Sequence, residues 1–197
     1  MKIIMKRLMP WMIGTATLWA ATSLVLAAEE LPGKVDFGAF SPPKGGGQFV
    51  EVNVTSAVIN LAARFVEKDE PDVAKILGNL KQVTVNVIGL NDENRDELHK
   101  RAQNIRTDLA GKGWERIVTV QEKDQDVSIY LKMADSTIQG VTAVVLDGKQ
   151  DAVFANVVGD IKPEQLAMLG EKFHIDPLKK IGLTAQKSEA KAEENAK

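Results

Sequence analysis

ERIVTVQEKDQDVSIYLKMADSTIQGVTAVVLDGKQDAVFANVV, residues 115–158, is the stretch that decides the fold. Four short runs read as strands, Glu115–Gln121, Val127–Lys132, Val141–Leu146 and Ala152–Val158, with the alternation of apolar and polar residues clearest in the first two. A period of two puts successive side chains on opposite faces of a strand. Lys123-Asp124-Gln125-Asp126 is turn-prone and joins the first two runs. Asp147-Gly148 between the last two is a hairpin signal, because both residues tolerate the backbone that a tight turn demands. Four strands therefore follow one another with no helix between them.

Upstream, the period changes. Asn91 or Asp92 is the expected cap of a long helix to about Leu109, with Leu98, Ala102, Ile105 and Leu109 on one narrow stripe. Gly111 and Gly113 end it. Before it, Val83, Val85 and Val87 alternate in a strand over 83–88, and Val50, Val52 and Val54 do the same over 49–54. Between those two strands lie a helix capped by Thr55 or Ser56 and running to about Glu67, and a second starting near Pro71. The first has apolar residues around most of its circumference, which predicts heavy burial. After the four-strand stretch, Asp160 is expected to turn the chain into a last helix, from Pro163 to about Phe173. Leu166, Leu169 and Phe173 form its stripe, and it should close the core.

The order is β-α-α-β-α-β-β-β-β-α. It predicts an α+β two-layer sandwich, with a mixed, mostly antiparallel sheet carrying helices on one face. Trp114, at the junction of helix stop and strand, should anchor the core. The domain spans 49–176. Residues 29–48 form an extended arm, broken by Pro42-Pro43 and Gly45-Gly46-Gly47, with Phe37 and Phe40 as its docking residues. Residues 177–197 are rich in Lys, Glu and Ala and carry no apolar stripe, which predicts a disordered tail.

The first 28 residues read as a signal peptide. Lys2, Lys6 and Arg7 precede an uncharged stretch, Leu8–Ala28, that closes on small residues. Cleavage is expected after Ala27 or Ala28, which places the mature chain in the periplasm or outside the cell. An uncleaved membrane anchor is the competing reading, since about 20 apolar residues span a bilayer. That segment holds three of the 25 basic residues and no acidic one, so the mature chain has 22 against 27 and a net charge of −5. An acidic chain is poorly suited to nucleic acid or an anionic membrane surface. The chain has no cysteine, which removes disulfides, thiolate metal sites and a cysteine nucleophile.

Chemistry-bearing motifs are absent. His99 and His174 have no partner at metal-ligand spacing. The triple glycine precedes a strand, whereas a phosphate cradle leads into a helix N-terminus. No catalytic residue, cofactor or metal is expected. Strand alternation does gather one polar face, with Glu51, Asn53, Thr84, Asn86, Thr119, Ser128, Tyr130 and Thr142 opposite the valine rows. Read as the outer face, it is the candidate surface for a ligand or partner.

Four segments carry a resemblance: Leu31–Gly38, Val50–Val54, Gly113–Val118 and Val158–Leu166. They resemble a family of exported bacterial proteins catalogued as domain of unknown function 4252. The likeness covers about residues 31–176. Family members commonly carry a lipoprotein cysteine that this chain lacks, and Lys162 stands where relatives commonly have an acidic residue. The resemblance implies export and the domain limits, and no activity. The expected function is a non-catalytic periplasmic binding or accessory module, engaging an envelope protein or a small polar ligand. The alternatives are a carboxylate-dependent hydrolase around Asp160 and Glu51, and an envelope sensor or regulator that binds a protein. Membrane contact is expected only through the signal peptide.

Overall fold

The computed structural model describes residues 31–148, 150–165 and 168. Nine elements run in the expected order: β1 (Phe49–Thr55), α1 (Ser56–Val66), α2 (Pro71–Gly78), β2 (Leu80–Gly89), α3 (Arg95–Gly111), β3 (Glu115–Glu122), β4 (Gln125–Ala134), β5 (Thr137–Asp147) and β6 (Asp151–Ile161). The tenth, expected over 163–173, has only its first residues within the described part. Its apolar stripe, like His174 and the tail, lies outside it.

One sheet holds all six strands in the order β1-β2-β6-β5-β4-β3. Each of its five pairings is antiparallel, so the expected mixture resolves to a single sense. β3 to β6 form a meander, which short turns permit. The αα-hairpin is an insertion between β1 and β2, and α3 crosses from β2 to the far edge at β3. Hence β2 must pair with β6, far along the chain, and the sheet's two halves meet there.

Residues directly opposite in an antiparallel pair share a face, so the register assigns both faces. The first carries Ile88, Ala152, Phe154, Val144, Leu146 and Tyr130. These bury against Leu98, Ala102, Ile105 and Leu109 of α3, together with Phe37 and Trp114. Phe154, Val144, Ala152 and Ala102 have no exposed surface at all. This is the main core, and the four-residue stripe of α3 is the expected one. Trp114 is buried in it, as expected.

The second face is aliphatic throughout. Its middle row runs Val52, Val85, Ala155, Ala143, Ile129 across five strands. Val50, Val87, Val153, Val145 and Val127 flank it on one side, and Val54, Val83, Val157, Val141 and Leu131 on the other. Most of these side chains are half-buried, and Val50 is exposed. At one end the face passes into a second cluster, in which Leu131, Ile138 and Ile161 pack with Leu80, Ile117, Val141 and Val157.

Local signals account for the helix ends. Thr55 is the N-cap of α1, though its side chain makes no capping bond. Pro71 opens α2. α3 starts later than expected, with Asn94 as N-cap. Asn91 sits one turn earlier and accepts from the backbone N–H groups of Glu93 and Asn94 through Oδ1, at 3.0 Å each. This Asx turn occupies the position read as the cap. The carboxamide of Gln165 accepts from Lys162 N–H at 3.0 Å, half of a capping box at the start of the last helix.

Candidate functional site

The eight polar residues singled out in the sequence do share one face: Glu51 is opposite Asn86, Asn53 opposite Thr84, Thr119 opposite Ser128 and Tyr130 opposite Thr142. It is not the outer face. It is the face on which α3 and the arm pack, and Asn86, Ser128, Tyr130 and Thr142 are buried. Thr84 is half-buried, and Glu51, Asn53 and Thr119 are exposed toward the sheet's edges. The correction has a simple cause. Alternation says which residues share a face, but α3 chose the face bearing Phe154, Val144 and Leu146 among the polar residues.

Sequence reading missed the residue at the centre of that face, Asn156. It is 1% exposed. Its Nδ2 donates to Thr142 Oγ1 at 2.9 Å, Gly33 O at 3.0 Å and Val141 O at 3.2 Å. Its Oδ1 accepts from Val35 N–H at 3.1 Å. Asn156 thus pins the arm to the sheet. The only available signal was an amide inside the apolar run Ala152–Val158. The arm also stacks Phe37 and Phe40 against Phe154, with centroids 5.8 and 5.0 Å apart, as their reading as docking residues expects. At Gly33 and Gly140 the arm backbone lies on the sheet backbone. A methyl group on Gly140 would fall 2.7 Å from both Gly33 Cα and the Trp114 ring.

Where the arm leaves the sheet, it and the first turns of α3 enclose a cavity of about 320 Å³. Phe40, Ile88 and Leu98 give its apolar wall, and Lys44, Glu93, Glu97 and Arg101 its charged one. Arg101 is already engaged: it bonds Glu97 at 3.2 Å, donates to Ala39 O at 2.6 Å and lies 4.6 Å from the centre of the Phe40 ring. These contacts hold the arm.

The carboxylates named for a hydrolase do not converge. Asp160 lies inside β6, not in a turn, and pairs with Lys81 at 2.9 Å on the surface. Glu51 lies opposite Asn86, which lies opposite Phe154, six residues from Asp160. At ~3.3 Å per residue that is roughly 20 Å along the sheet, twice the reach of a paired-acid site. Arg106 and Asp126 form a half-buried ion pair at 2.6 Å between α3 and β4. Among the described residues, no group of three or more His, Asp or Glu side chains could hold a metal ion. His99 is exposed on α3.

A different surface stands out. α1 buries only Ile59 and Ala63. Val58, Leu61 and Phe65 are 57%, 54% and 77% exposed. The expected heavy burial is therefore wrong for this helix, which packs chiefly on α2 and meets the domain along one side. Positions 58, 61 and 65 are spaced i, i+3, i+7, the spacing at which helix side chains share a face.

Fold and surface thus define an α+β domain whose buried polar groups hold its own parts together and whose exposed helix is apolar. The chain belongs to the family described as Domain of unknown function (DUF4252), which matches residues 44–169. The match takes in all nine elements and leaves most of the arm outside. No curated protein and no solved structure matches the chain.

Proposed function

We propose that this protein is a non-catalytic binding module of the cell envelope that engages a protein partner through α1. The observation that carries the reading is the stripe Val58, Leu61, Phe65, exposed on a helix whose opposite side is docked. Helices read by a partner's groove present apolar anchors at i, i+3 and i+7. Exposing three large side chains in one patch is unfavourable to a free domain and is the mark of an interaction surface. A small ligand is the weaker choice, because Arg101 and Glu97 of the cavity are committed to each other and to the arm. The envelope location rests on the signal-like N-terminus. N-terminal mass analysis of protein from its native cell should find cleavage after Ala27 or Ala28, and a retained Met1 would refute export.

The binding reading is tested with Leu61→Ser/Phe65→Ser. Both side chains are exposed, so folding stability should change by less than about 0.5 kcal/mol. Cross-linking in intact cells should capture a defined partner with the unaltered protein and lose it, by tenfold or more, with this variant. Capture that is unchanged by the double substitution would rule out α1 as the contact.

A further inference from the structure

The sheet ends in two edge strands, β1 and β3, and they differ. β3 is guarded in the ways by which edge strands resist further pairing. Its ladder with β4 shifts register between Arg116 and Val118, and it carries Glu115, Arg116 and Glu122. β1 has no lysine, arginine or proline, Glu51 is its single charge, and its ladder with β2 runs unbroken from Phe49 to Thr55. Gly89 N–H donates to Gln48 O at 2.7 Å. Backbone groups alternate in direction along an antiparallel ladder, so Val50, Val52 and Val54 also turn theirs to β2. Glu51 and Asn53 turn theirs outward, with Phe49 and Thr55 at the ends. Among the described residues, no strand pairs with this outward side. Val50, Glu51, Asn53 and Thr55 are exposed. We infer that β1 is a dimer edge: two copies of the chain pair antiparallel through β1, about a two-fold axis at Val52, and join their sheets into one.

The register follows from the residues. An axis at Val52 sets Val52 opposite its own copy, Val50 opposite Val54, Phe49 opposite Thr55 and Glu51 opposite Asn53. The two Glu51–Asn53 pairs are then the hydrogen-bonded ones, because both residues turn their backbone outward. Each carboxylate stands beside a carboxamide that can donate to it. An axis at Glu51 would set two carboxylates face to face, which destabilises a cross-strand pair. An axis at Asn53 would set Phe49 opposite Ala57, which is already in α1. Pairing at Val52 therefore uses the whole strand and opposes no like charges. It also prolongs the aliphatic face. A two-fold axis perpendicular to the sheet keeps like faces on one side, so the valines of one β1 extend the rows of the other. Val50, 38% exposed at the rim, gains a neighbour on its open side. The inference is independent of the partner reading for α1, whose anchors lie on the helix that follows β1.

Sedimentation of the protein isolated from its native cell should find a dimer at about 0.1 mM chain, within reach of a small, weak interface. A monomer at that concentration would overturn the inference. Asn53→Lys sets a cation opposite Glu51 twice in the dimer and should tighten it by about threefold or more, whereas Asn53→Glu sets like charges there and should loosen it by about tenfold. Both replace one exposed side chain and lose the same bond from Gln82, so they share a folding background. Leu61→Ser/Phe65→Ser should leave the dimer unchanged. Equal responses to the two Asn53 substitutions, or loss of the dimer with the α1 variant, would overturn the inference in favour of another surface. A thiol gives a second readout, since the chain has no cysteine of its own. Cα atoms in a non-hydrogen-bonded antiparallel pair are about 4.5 Å apart, within disulfide reach. Val52→Cys should therefore oxidise to a cross-linked dimer. Val54→Cys should not, because its two copies stand four residues out of register, at least roughly 13 Å apart. A cross-link at 54, or none at 52, would reject the pairing.

Discussion

Phe154→Ala is expected to lower the unfolding free energy by about 3–5 kcal/mol, the range for deleting a fully buried aromatic ring. Phe154 has no exposed surface and sits where three layers meet. Its ring touches Phe37 and Phe40 of the arm and belongs to the cluster built on the α3 stripe. Truncation leaves a cavity between sheet, helix and arm at once, and no single element can move in without losing its other contacts. Phe40→Ala should cost clearly less, since Phe40 is half-buried and its ring also faces the Arg101 guanidinium. Denaturant unfolding with an unchanged slope measures both. A loss below about 1 kcal/mol for Phe154→Ala would mean that the arm and α3 do not converge there.

Asn156→Asp is expected to cost about 3–5 kcal/mol at neutral pH, comparable to leaving a buried charge without its partner. The change is of one atom group, but it replaces the only donor on that side chain. Nδ2 now faces two carbonyl oxygens, of Gly33 and Val141, and the Thr142 hydroxyl. The hydroxyl can rotate to donate; the carbonyls cannot. Burial raises the pKa of the new carboxyl in the folded state above its unfolded value of about 3.9. The sign follows. Below the unfolded pKa the acid is neutral in both states and can donate one hydrogen bond, so the variant is then nearest to the native protein. As pH rises through the raised folded pKa, the folded state must either hold a proton or bury a charge, and stability is lost. Melting temperatures across pH 4 to 8 should show the deficit growing with pH. A constant deficit would indicate that water reaches the site.

The order of elements was legible because both periods are clean. Valines at 50, 52, 54 and at 83, 85, 87 can only be strands, and the stripe of α3 repeats at four, three and four residues. What was not legible was the side on which each element would be covered. The polar residues of one face were correctly grouped, yet they lie beneath α3 and the arm, because Phe154, Val144 and Leu146 alternate in phase with them. In α1, apolar residues all round read as burial. Hydrophobicity records a need for contact and not its source, and here Val58, Leu61 and Phe65 remain more than half exposed. Asn156 escaped because its strand is too apolar to alternate, so its amide read as an interruption when it is the clasp of the arm.

The pairing of β2 with β6 also sets the tempo of folding. Leu80 meets Gly159, and the arm's Gly33 meets Asn156, a separation of 123 residues. Neither the β1–β2 hairpin nor α3 can complete a core until the meander is present, because Phe154, Val144 and Leu146 come from its last two strands. Such distant closures must overcome loop entropy before any contact rewards them, which places antiparallel folds of this kind among the slow folders, in milliseconds to seconds. A chain emerging N-terminus first therefore stays open until β6 appears.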